Sequence, residues 1–315
     1  MWKLRLVPKQ PSVAFMRAHI PALALSGILL VVSLVSYFTE GLNYGIDFRG
    51  GTLFEIRTTE TEVDVARVRS TLGTLELGDI SIQRFGKPED ILIRVQRQPG
   101  GAKAEQAVVG EVKRVLRSDL GNIVEFRRVE TVGPRVSGEL KRKGAMALGF
   151  ALIAMLLYIW FRFEWQFSLG AVAALVHDVV LSLGFLVVTG VEFNLATVAA
   201  ILTIIGYSMN DTVVVYDRIR ENLRKYKKMD LRDILDLSVN NTLSRTTITS
   251  VTTLLALLAL VVFGGANIAG FTLVMIWGVI IGTYSSIFIA GPLLLYLDVR
   301  REAFVPKNDS DQGNQ

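Results

Sequence analysis

GYSMNDTVVVYDRIREN, the stretch from Gly206 to Asn222, ends a long apolar segment and then becomes abruptly charged. Asn210 and Asp211 lie inside the apolar part, because three valines still follow them. A carboxylate placed before the end of a membrane span costs free energy, so it is by default a candidate functional residue. The alternative is that Asp211 lies near enough to the membrane surface to stay hydrated and to cap the local backbone. The rest of the chain has to distinguish these two interpretations.

The composition is typical of a membrane protein. Of the 315 residues, 51% are hydrophobic, and several apolar runs reach the roughly 20 residues that a spanning helix needs. The absence of cysteine excludes disulfides, thiol nucleophiles and zinc–thiolate clusters, and two histidines argue against a histidine metal site. A net charge of +5 can indicate nucleic acid binding, but in a membrane protein it more simply marks cytoplasmic loops. We therefore expect no metal, no cofactor and no nucleic acid partner.

Six apolar runs are predicted to cross the membrane. The first, 19–38, follows a basic segment, 1–18; a signal peptide has a similar order, but this run is longer and lacks a clear cleavage site. The other five runs are 144–161, 168–189, 194–216, 247–263 and 270–297. Basic and non-basic connections alternate between them, which predicts that both termini are cytoplasmic. The chain is thus predicted to be a polytopic α-helical membrane protein.

Two segments outside the spans have a recognisable character on the predicted cytoplasmic side. Residues 217–245 form a basic loop whose apolar spacing predicts an amphipathic helix or a helical hairpin. Residues 298–315 form a polar tail, which is also predicted to be cytoplasmic. The charge of the loop is most simply a determinant of topology, although a contact with anionic lipid or with a partner would use the same residues.

A large polar segment, 39–143, separates the first two spans and is predicted to be periplasmic. Its alternating apolar residues predict strands, and its helically spaced ones predict helices. The predicted elements, in chain order, are a strand at 54–58, a helix at 65–72, strands at 80–85 and 91–95, a helix at 103–120 and a strand at 124–127. This β-α-β-β-α-β order is the ferredoxin-like arrangement of α+β domains. The arrangement hosts many unrelated functions and so assigns none.

Polar side chains occur within three of the predicted spans. His177 and Asp178 lie in the middle of the third, Asp211 near the inner end of the fourth, and Arg245 at the start of the fifth. Asp211 and Arg245 are expected at similar depth, where an ion pair or a water-filled cavity would stabilise both. Simpler explanations remain for each, namely a structural His–Asp pair and an arginine that snorkels to the interface. Their joint occurrence favours a proton path, since Asp, Glu and His chains mark such paths in pumps.

Further polar residues on the fourth and fifth spans are expected to support this set. They are Ser208, Asn210, Thr246 and Thr249. Ordinary hydrogen bonding between helices would also explain such hydroxyl groups. Because protonation of a carboxylate depends on nearby charges, a change in the separation of Asp211 and Arg245 would gate it. No Walker-type phosphate loop, HExxH or GxSxG motif is present, so we predict a chain that is not an enzyme and does not hydrolyse ATP.

Several motifs together resemble the SecD/SecF family of the RND superfamily. GIDFRGG at 45–51 resembles the family signature GIDFxGG, and VGP at 132–134 followed by Glu139-Leu140 resembles the family's entry to the second span. The matching signature residues are Gly45, Asp47, Gly50 and Gly51. The stretch quoted at the outset resembles the SecF branch specifically, as do SRTTITSVTT at 244–253 and GTYSSIFIAGPLL at 282–294.

The resemblance implies half of an RND-type transporter in the bacterial plasma (inner) membrane. It implies partnership with SecD, with the SecYEG channel and its accessory subunits, with a translocating polypeptide and with membrane lipids. The proton motive force would drive late steps of protein export, with Asp211 and Arg245 as the proton site. Asp178 and His177 match a family His–Asp pattern whose role is less defined. Two alternatives remain open: a proton-driven small-molecule or lipid exporter on the same scaffold, and a structural assembly subunit.

Overall fold

The computed structural model describes residues 11–58, 63–84, 87–120, 125–297 and 299. Within these ranges six helices are long and apolar enough to cross a membrane, and one small α+β domain is inserted after the first of them. The predicted fold class, a polytopic helical membrane protein with an α+β domain, is therefore confirmed. The first half of the predicted N-terminal segment, 1–10, and most of the predicted tail, 300–315, lie outside the described residues.

The α+β domain follows α1 and has the predicted order of elements. A 3₁₀ turn at Phe15–Arg17 leads into α1 (His19–Thr39). The domain then consists of α2 (Ile46–Arg49), β1 (Gly51–Arg57), α3 (Val65–Gly73), β2 (Ile80–Arg84), β3 (Asp90–Val95), α4 (Ala102–Leu120) and β4 (Glu125–Val132). Its antiparallel strands lie in the order β2-β3-β1-β4, which is the ferredoxin-like topology. Phe54 and Ile93 on the sheet pack against Leu72 of α3 and Leu116 of α4.

One buried charge cluster lies on β1, β3 and β4. Arg57 donates two hydrogen bonds to the Asp90 carboxylate, both at 2.6 Å, and Arg127 lies 3.5 Å from both Asp90 and Glu55. The side chain of Asp90 is only 2% exposed. The hydrogen bonds from Arg57 hold the pKa of the Asp90 carboxyl below its usual range. This cluster therefore stabilises the sheet only while Asp90 is charged.

Replacing Asp90 with asparagine should destabilise the α+β domain by about 2 kcal/mol, because two charge-assisted hydrogen bonds are lost. The contribution of Asp90 is present above its unfolded pKa of about 3.9 and is lost as the pH falls through the lower folded value. Acidification from neutral pH to about pH 3 should therefore lower the stability of the natural chain by more than it lowers the stability of the Asp90→Asn variant. Hydrogen exchange of β1 and β3 amides in the solubilised full chain, corrected for intrinsic rates, measures both effects. Glu111→Gln, which breaks an exposed ion pair with Arg114, is the control; an equal effect there would contradict this assignment.

The remaining spans are longer than their apolar runs. They are α5 (Pro134–Arg162), α6 (Trp165–Thr189), α7 (Leu195–Lys225), α8 (Leu231–Phe263), and a last span made of α9 (Ala266–Ser285), a π-helical segment (Ser286–Ala290) and α10 (Gly291–Tyr296). The predicted polar connector around Glu139 is helical, since it belongs to the first turns of α5, where Glu139 pairs with Lys143 at 2.8 Å. The basic segment 217–245 is a helical hairpin, formed where α7 and α8 continue past their apolar parts.

The packing of α7 against α9 sets the geometry of the membrane part. Gly278 and Gly282, spaced as small-xxx-small, face α7 so closely that an added Cβ would lie 2.1 Å from Ile204 and 2.9 Å from Ser208. Close approach of backbones at small residues is the usual basis of helix association in membranes. Since Ser208 is one of the predicted site residues, this contact brings α9 directly to the candidate site.

Candidate functional site

Asp178 is the centre of a buried hydrogen-bonded cluster in the middle of the membrane part. Ser208 Oγ and Ser285 Oγ donate to Oδ2 of Asp178 at 2.5 and 2.7 Å, and His177 Nδ1 lies 2.9 Å from Oδ1. The whole Asp178 residue is 1% exposed. Both carboxyl oxygens thus have hydrogen-bond partners, as a polar group in so buried a place requires. The cluster joins α6, α7 and α9.

The cluster extends to α1 through aromatic and hydroxyl side chains. The ring of His177 stacks on Tyr284, with centroids 6.2 Å apart, and the Tyr284 hydroxyl donates to the carbonyl of Ala22 at 2.7 Å and lies 2.9 Å from Ser26 Oγ. Within the described part of the chain, His177 Nε2 is buried without a hydrogen-bond partner. An unpartnered buried nitrogen of this kind is rare in native structures, which makes His177 a candidate functional residue.

A π-helical turn follows Ser285 directly, at Ser286–Ala290. Such single π turns interrupt helices at functional sites more often than elsewhere. The Tyr216 hydroxyl of α7 donates to the carbonyl of Ala290 at 3.0 Å, which anchors the end of this turn. The last span therefore changes its helical pitch next to the residue that binds Asp178.

A second row of hydroxyl groups links α7, α8 and α9. Tyr207 donates to Ser250 Oγ at 3.2 Å, and Ser250 Oγ lies 2.8 Å from Thr283 Oγ1. Thr283 is only two residues from Ser285, and Tyr207 precedes Ser208. This row of hydroxyl groups therefore lies next to the Asp178 cluster on both α7 and α9. A shift of α8 would displace residues that adjoin the cluster.

Asp211 lies one turn beyond Ser208 on the same side of α7, against α8. It is 4% exposed, and its Oδ2 has no hydrogen-bond partner among the described residues. The same is true of two buried hydroxyl groups in its vicinity, those of Thr212 and Thr246. Thr246 lies beside the carboxylate, but its hydroxyl makes no hydrogen bond of ordinary length and angle to it. Unsatisfied buried polar atoms are rare in native structures, so Asp211 with the adjacent Thr246 is a candidate functional site.

Arg245 is close enough to act on Asp211 electrostatically, but the two do not form an ion pair within the described part of the chain. The arginine is exposed and lines a polar cavity of about 280 Å³, together with Asp217 and Glu221. The structure therefore brings Arg245 near Asp211, but among the described residues the two form no direct ion pair. The guanidinium of Arg245 thus extends towards the polar ends of α7 and α8, where Asp217 and Glu221 lie, and still remains near the Asp211 carboxylate.

The other predicted residues divide into two groups. Ser208 and Thr246 join the buried set, while Asn210 is exposed on another face of α7 and Thr249 donates only to carbonyls of its own helix, those of Arg245 and Thr246. Ser285 belongs to the site but was not predicted; the polar residues of GTYSSIFIAGPLL were the available signal for it. No group of three His, Cys, Asp or Glu side chains in the described ranges could hold a metal.

The GIDFRGG motif connects the membrane part to the α+β domain. Asp47 Oδ2 accepts a hydrogen bond from the backbone N of Leu195 at 2.9 Å, so it caps the start of α7. Gly45 packs so tightly on Glu192 that an added Cβ would lie 2.1 Å from its Oε1. Gly50 and Gly51 have φ values of 74° and 112°, and a Cβ on Gly51 would lie 2.4 Å from the carbonyl oxygen of Val95. The motif residues are needed for backbone conformation and close approach.

A nearly buried arginine strengthens the same junction. Arg94 of β3 donates to Glu192 Oε2 at 3.0 Å and to Asn43 Oδ1 at 3.1 Å, and its side chain is 9% exposed. Glu192 belongs to the loop between α6 and α7. The α+β domain is therefore joined to the start of α7 by the Asp47 cap, and to the preceding loop by the Arg94–Glu192 pair and by backbone hydrogen bonds such as that from Gly45 N to the Phe193 carbonyl.

Glu192→Gln should weaken this junction by about 2 kcal/mol, because the charge of Arg94 loses its carboxylate partner in a nearly buried place. The amides of Gly45 and Leu195, which are hydrogen-bonded across the junction, should then exchange roughly 30-fold faster. Hydrogen exchange measured by mass spectrometry on the full chain checks this. Glu130→Gln, which removes a carboxylate from an exposed pair with Arg128, should leave both amides unchanged; acceleration in both variants would contradict a local role.

Comparison with known proteins identifies the family. The family model described as protein export membrane protein SecD/SecF, C-terminal, matches residues 112–300, and the SecD/SecF GG motif model matches residues 35–62. The protein translocase subunit SecF of Cereibacter sphaeroides is 46% identical over 320 residues, covering 100% of this chain and 98% of that protein. The subunit of the same name from Magnetococcus marinus is 54% identical over 279 residues, covering 88% and 89%.

Solved structures show the same fold. The crystal structure of SecDF, a translocon-associated membrane protein from Thermus thermophilus, matches with a TM-score of 0.83 at 35% identity and covers 95% of this chain. SecDF in its super-membrane-facing form matches with a TM-score of 0.68 at 34% identity and covers 96%. This chain spans 40% of the length of each of those SecDF chains. The chain belongs to the SecD/SecF family of protein export membrane proteins.

Proposed function

We propose that this chain acts with SecD and the SecYEG channel, using the proton motive force to promote late steps of polypeptide translocation. The observation that carries the proposal is the Asp211 carboxylate, which is buried beside α8 with its Oδ2 unpartnered among the described residues and lies within the electrostatic reach of Arg245. In the proposed topology both termini are cytoplasmic, the membrane is the bacterial plasma membrane and the α+β domain is periplasmic. The basic hairpin between α7 and α8 supports that orientation by the positive-inside rule. The chain would act as a proton-driven subunit and not as an enzyme.

The proposed mechanism begins with the charge of Asp211. When the carboxylate takes up a proton, it loses its attraction to Arg245, and α8 is free to shift against α7. When the proton leaves on the other side of the membrane, the attraction between Asp211 and Arg245 returns and the helices move back. A two-state change of this kind needs only a difference in the interaction of the two protonation states with the neighbouring helix.

The helix α7 is the proposed link to the periplasmic domain. Asp211 and Leu195 are 16 residues apart on one continuous helix, which corresponds to about 24 Å. Leu195 is held by Asp47, and the adjoining loop is held by Arg94. A displacement of α7 would therefore be transmitted to the α+β domain without an intervening flexible segment. That domain would pull on, or block the return of, the emerging polypeptide.

Pairing with SecD is supported by the solved relatives, in which a match to this chain accounts for only part of a longer SecDF chain. In the proposed assembly a six-span partner completes the transporter. The same relatives make polypeptide export a better proposal than small-molecule efflux, since their names refer to the translocon.

Export measured in membrane vesicles tests the proposal. Vesicles from cells lacking the chain, and from cells in which it has been restored, are supplied with ATP and a secretory protein, with and without an imposed proton gradient. The proposed function predicts that the gradient stimulates completion of export only in the restored vesicles. A structural assembly subunit would restore export equally with and without the gradient, and a small-molecule exporter would leave export unchanged.

A further inference from the structure

The turn between α5 and α6 separates two neighbouring cavities of opposite chemistry. The first is an apolar groove of about 540 Å³ between the end of α5 and the start of α6, lined by Leu157, Trp160, Trp165 and Leu169 among others. The second is a charged cavity of about 510 Å³, lined by Arg162, Arg220, Arg224 and Lys225 together with Asp217 and Glu221. We infer that they form one binding site for an anionic phospholipid, with an acyl chain in the groove and the headgroup phosphate in the charged cavity.

The groove has the size and depth expected for part of an acyl chain. Its lining runs from Ile153 to Trp160 on α5 and from Trp165 to Val172 on α6, which is about 10 Å along each helix. One leaflet of a bilayer has about 15 Å of hydrocarbon. Trp160 and Trp165 are 75% and 62% exposed at its mouth, where tryptophans mark the interface between hydrocarbon and headgroups.

The lining of the groove favours lipid over a helix of another subunit. Helices in membranes associate through glycine, alanine, serine and threonine, which let their backbones approach. Here the walls are mainly tryptophan, leucine, isoleucine and valine, with Ser168 as the small residue. The Ser168 hydroxyl donates to the carbonyl of Glu164 at the start of α6 and to that of Ile159 on α5, so it is already used. A flexible acyl chain fits between such bulky side chains better than a second helix does.

The charged cavity has basic groups left over after its ion pairs are formed. Arg162 pairs with Asp217 at 2.7 Å, Arg220 with Glu164 at 2.9 Å. Glu221 pairs with Arg218 at 2.7 Å. Arg224 and Lys225 are exposed, and neither forms an ion pair within the described ranges. Two basic side chains at the membrane surface therefore remain for a phosphate.

Phe163 lies at the end of α5, in the turn between the two cavities. The guanidinium groups of Arg162 and Arg220 lie 5.0 and 5.5 Å from the centre of its ring, and Phe163 itself is buried. These cation–π contacts fix both arginines at the end of the groove. A lipid whose chain lies along Trp160 would thus place its phosphate beside the basic side chains.

Brominated lipids test the inference, because bromine on an acyl chain quenches a tryptophan that it touches. The full chain, with Trp2→Phe and Trp277→Phe so that Trp160 and Trp165 provide the emission, is reconstituted into vesicles of phosphatidylcholine with a minor share of phosphatidylglycerol. Either one lipid or the other is brominated. The proposal predicts that brominated phosphatidylglycerol quenches well beyond its share of the lipid. Quenching in proportion to that share would overturn it.

Matched variants separate the two halves of the site. Arg224→Gln with Lys225→Gln should weaken the preference for phosphatidylglycerol about fivefold for each basic group removed. Lys228→Gln with Arg232→Gln removes the same charge from the same hairpin outside the cavity and should have little effect; an equal loss there would overturn the site. Leu169→Phe, which fills the groove and keeps every charge, should also lower the preference. Excess soluble glycerol phosphate should leave the preference for phosphatidylglycerol unchanged. If the cavity bound free phosphate instead of lipid, glycerol phosphate would block it and the preference would fall.

A second measurement needs no substitution of tryptophan. Mass spectrometry of lipids retained by the natural chain after detergent purification should show phosphatidylglycerol enriched over phosphatidylcholine, with the enrichment lost in the Arg224/Lys225 variant. The quenching experiment is repeated on the assembly purified with its partner chain. Loss of quenching by both lipids in the assembly would show that another protein helix covers the groove and would overturn the proposal.

Discussion

Replacing Asp211 with asparagine is expected to abolish the part of export that depends on the proton gradient. Asparagine has nearly the same shape, so α7 and α8 should still pack and the chain should still insert. It cannot exchange a proton, and the interaction with Arg245 can no longer alternate between two states. In the vesicle assay, export with the gradient should fall to the level measured without it, while the ATP-driven part remains.

The control for this variant is another carboxylate on the same helix. Asp217→Asn removes a charge six residues further on, where the side chain is 42% exposed and paired with Arg162. Exposed pairs contribute about 1 kcal/mol or less, so this variant should retain gradient-driven export. Full gradient-driven export by Asp211→Asn, or equal loss in both variants, would contradict a specific role for Asp211.

Replacing Asp178 with alanine is expected to prevent stable folding of the membrane part. The change removes the shared carboxylate, so Ser208 and His177 Nδ1 lose their hydrogen-bond partner and Ser285 keeps only the carbonyl of Gly282. Each such loss costs about 1–3 kcal/mol, so the total should be about 3 kcal/mol or more. The thermal unfolding temperature of the purified chain and its abundance in membranes should both fall sharply.

A neighbouring serine provides the matched control for Asp178. Ser182 is fully buried on the same helix, but its hydroxyl donates only to the carbonyl of Asp178 at 2.7 Å. Ser182→Ala should therefore change the unfolding temperature little. Asp178→Asn retains an acceptor and should fold better than the alanine variant. If Asp178→Ala were as stable as Ser182→Ala, the cluster would not hold the helices together.

The helices and strands of this chain could be predicted because their patterns are local. Apolar runs of sufficient length predict the spans, and alternation around Phe54 and Ile93 predicts the sheet. The helix boundaries were harder to predict from the sequence. Residues 134–143 and 217–225 are polar yet helical, because they extend helices whose apolar parts are packed elsewhere.

The contacts between helices could not be predicted from the sequence, since depth along a span does not determine which face meets a neighbour. Asp211 and Arg245 were expected at one depth, but their side chains do not meet in an ion pair. Asn210 and Asp211 are adjacent in sequence and yet about 100° apart around α7, so one is exposed and the other buried. Ser285 was overlooked for the same reason, because its role depends on the close approach of α9 at Gly282.

The junction with the α+β domain shows a different limit. The sequence indicated that GIDFRGG is important, but not that Asp47 caps α7 or that Arg94 reaches Glu192. Both contacts join residues about 100 or more positions apart, and no local pattern reports them. They matter here because they make α7 a continuous connection between Asp211 and the α+β domain.

Proton flux during export tests the central claim most directly. The assembly of this chain with its partners is reconstituted into proteoliposomes that contain a pH-sensitive dye, and flux is followed when a translocating polypeptide is supplied under a proton gradient. The natural chain should show a flux that increases with the polypeptide, and Asp211→Asn should show none of that increase. A polypeptide-dependent flux of equal size in Asp211→Asn would contradict the assignment of Asp211 as the proton site.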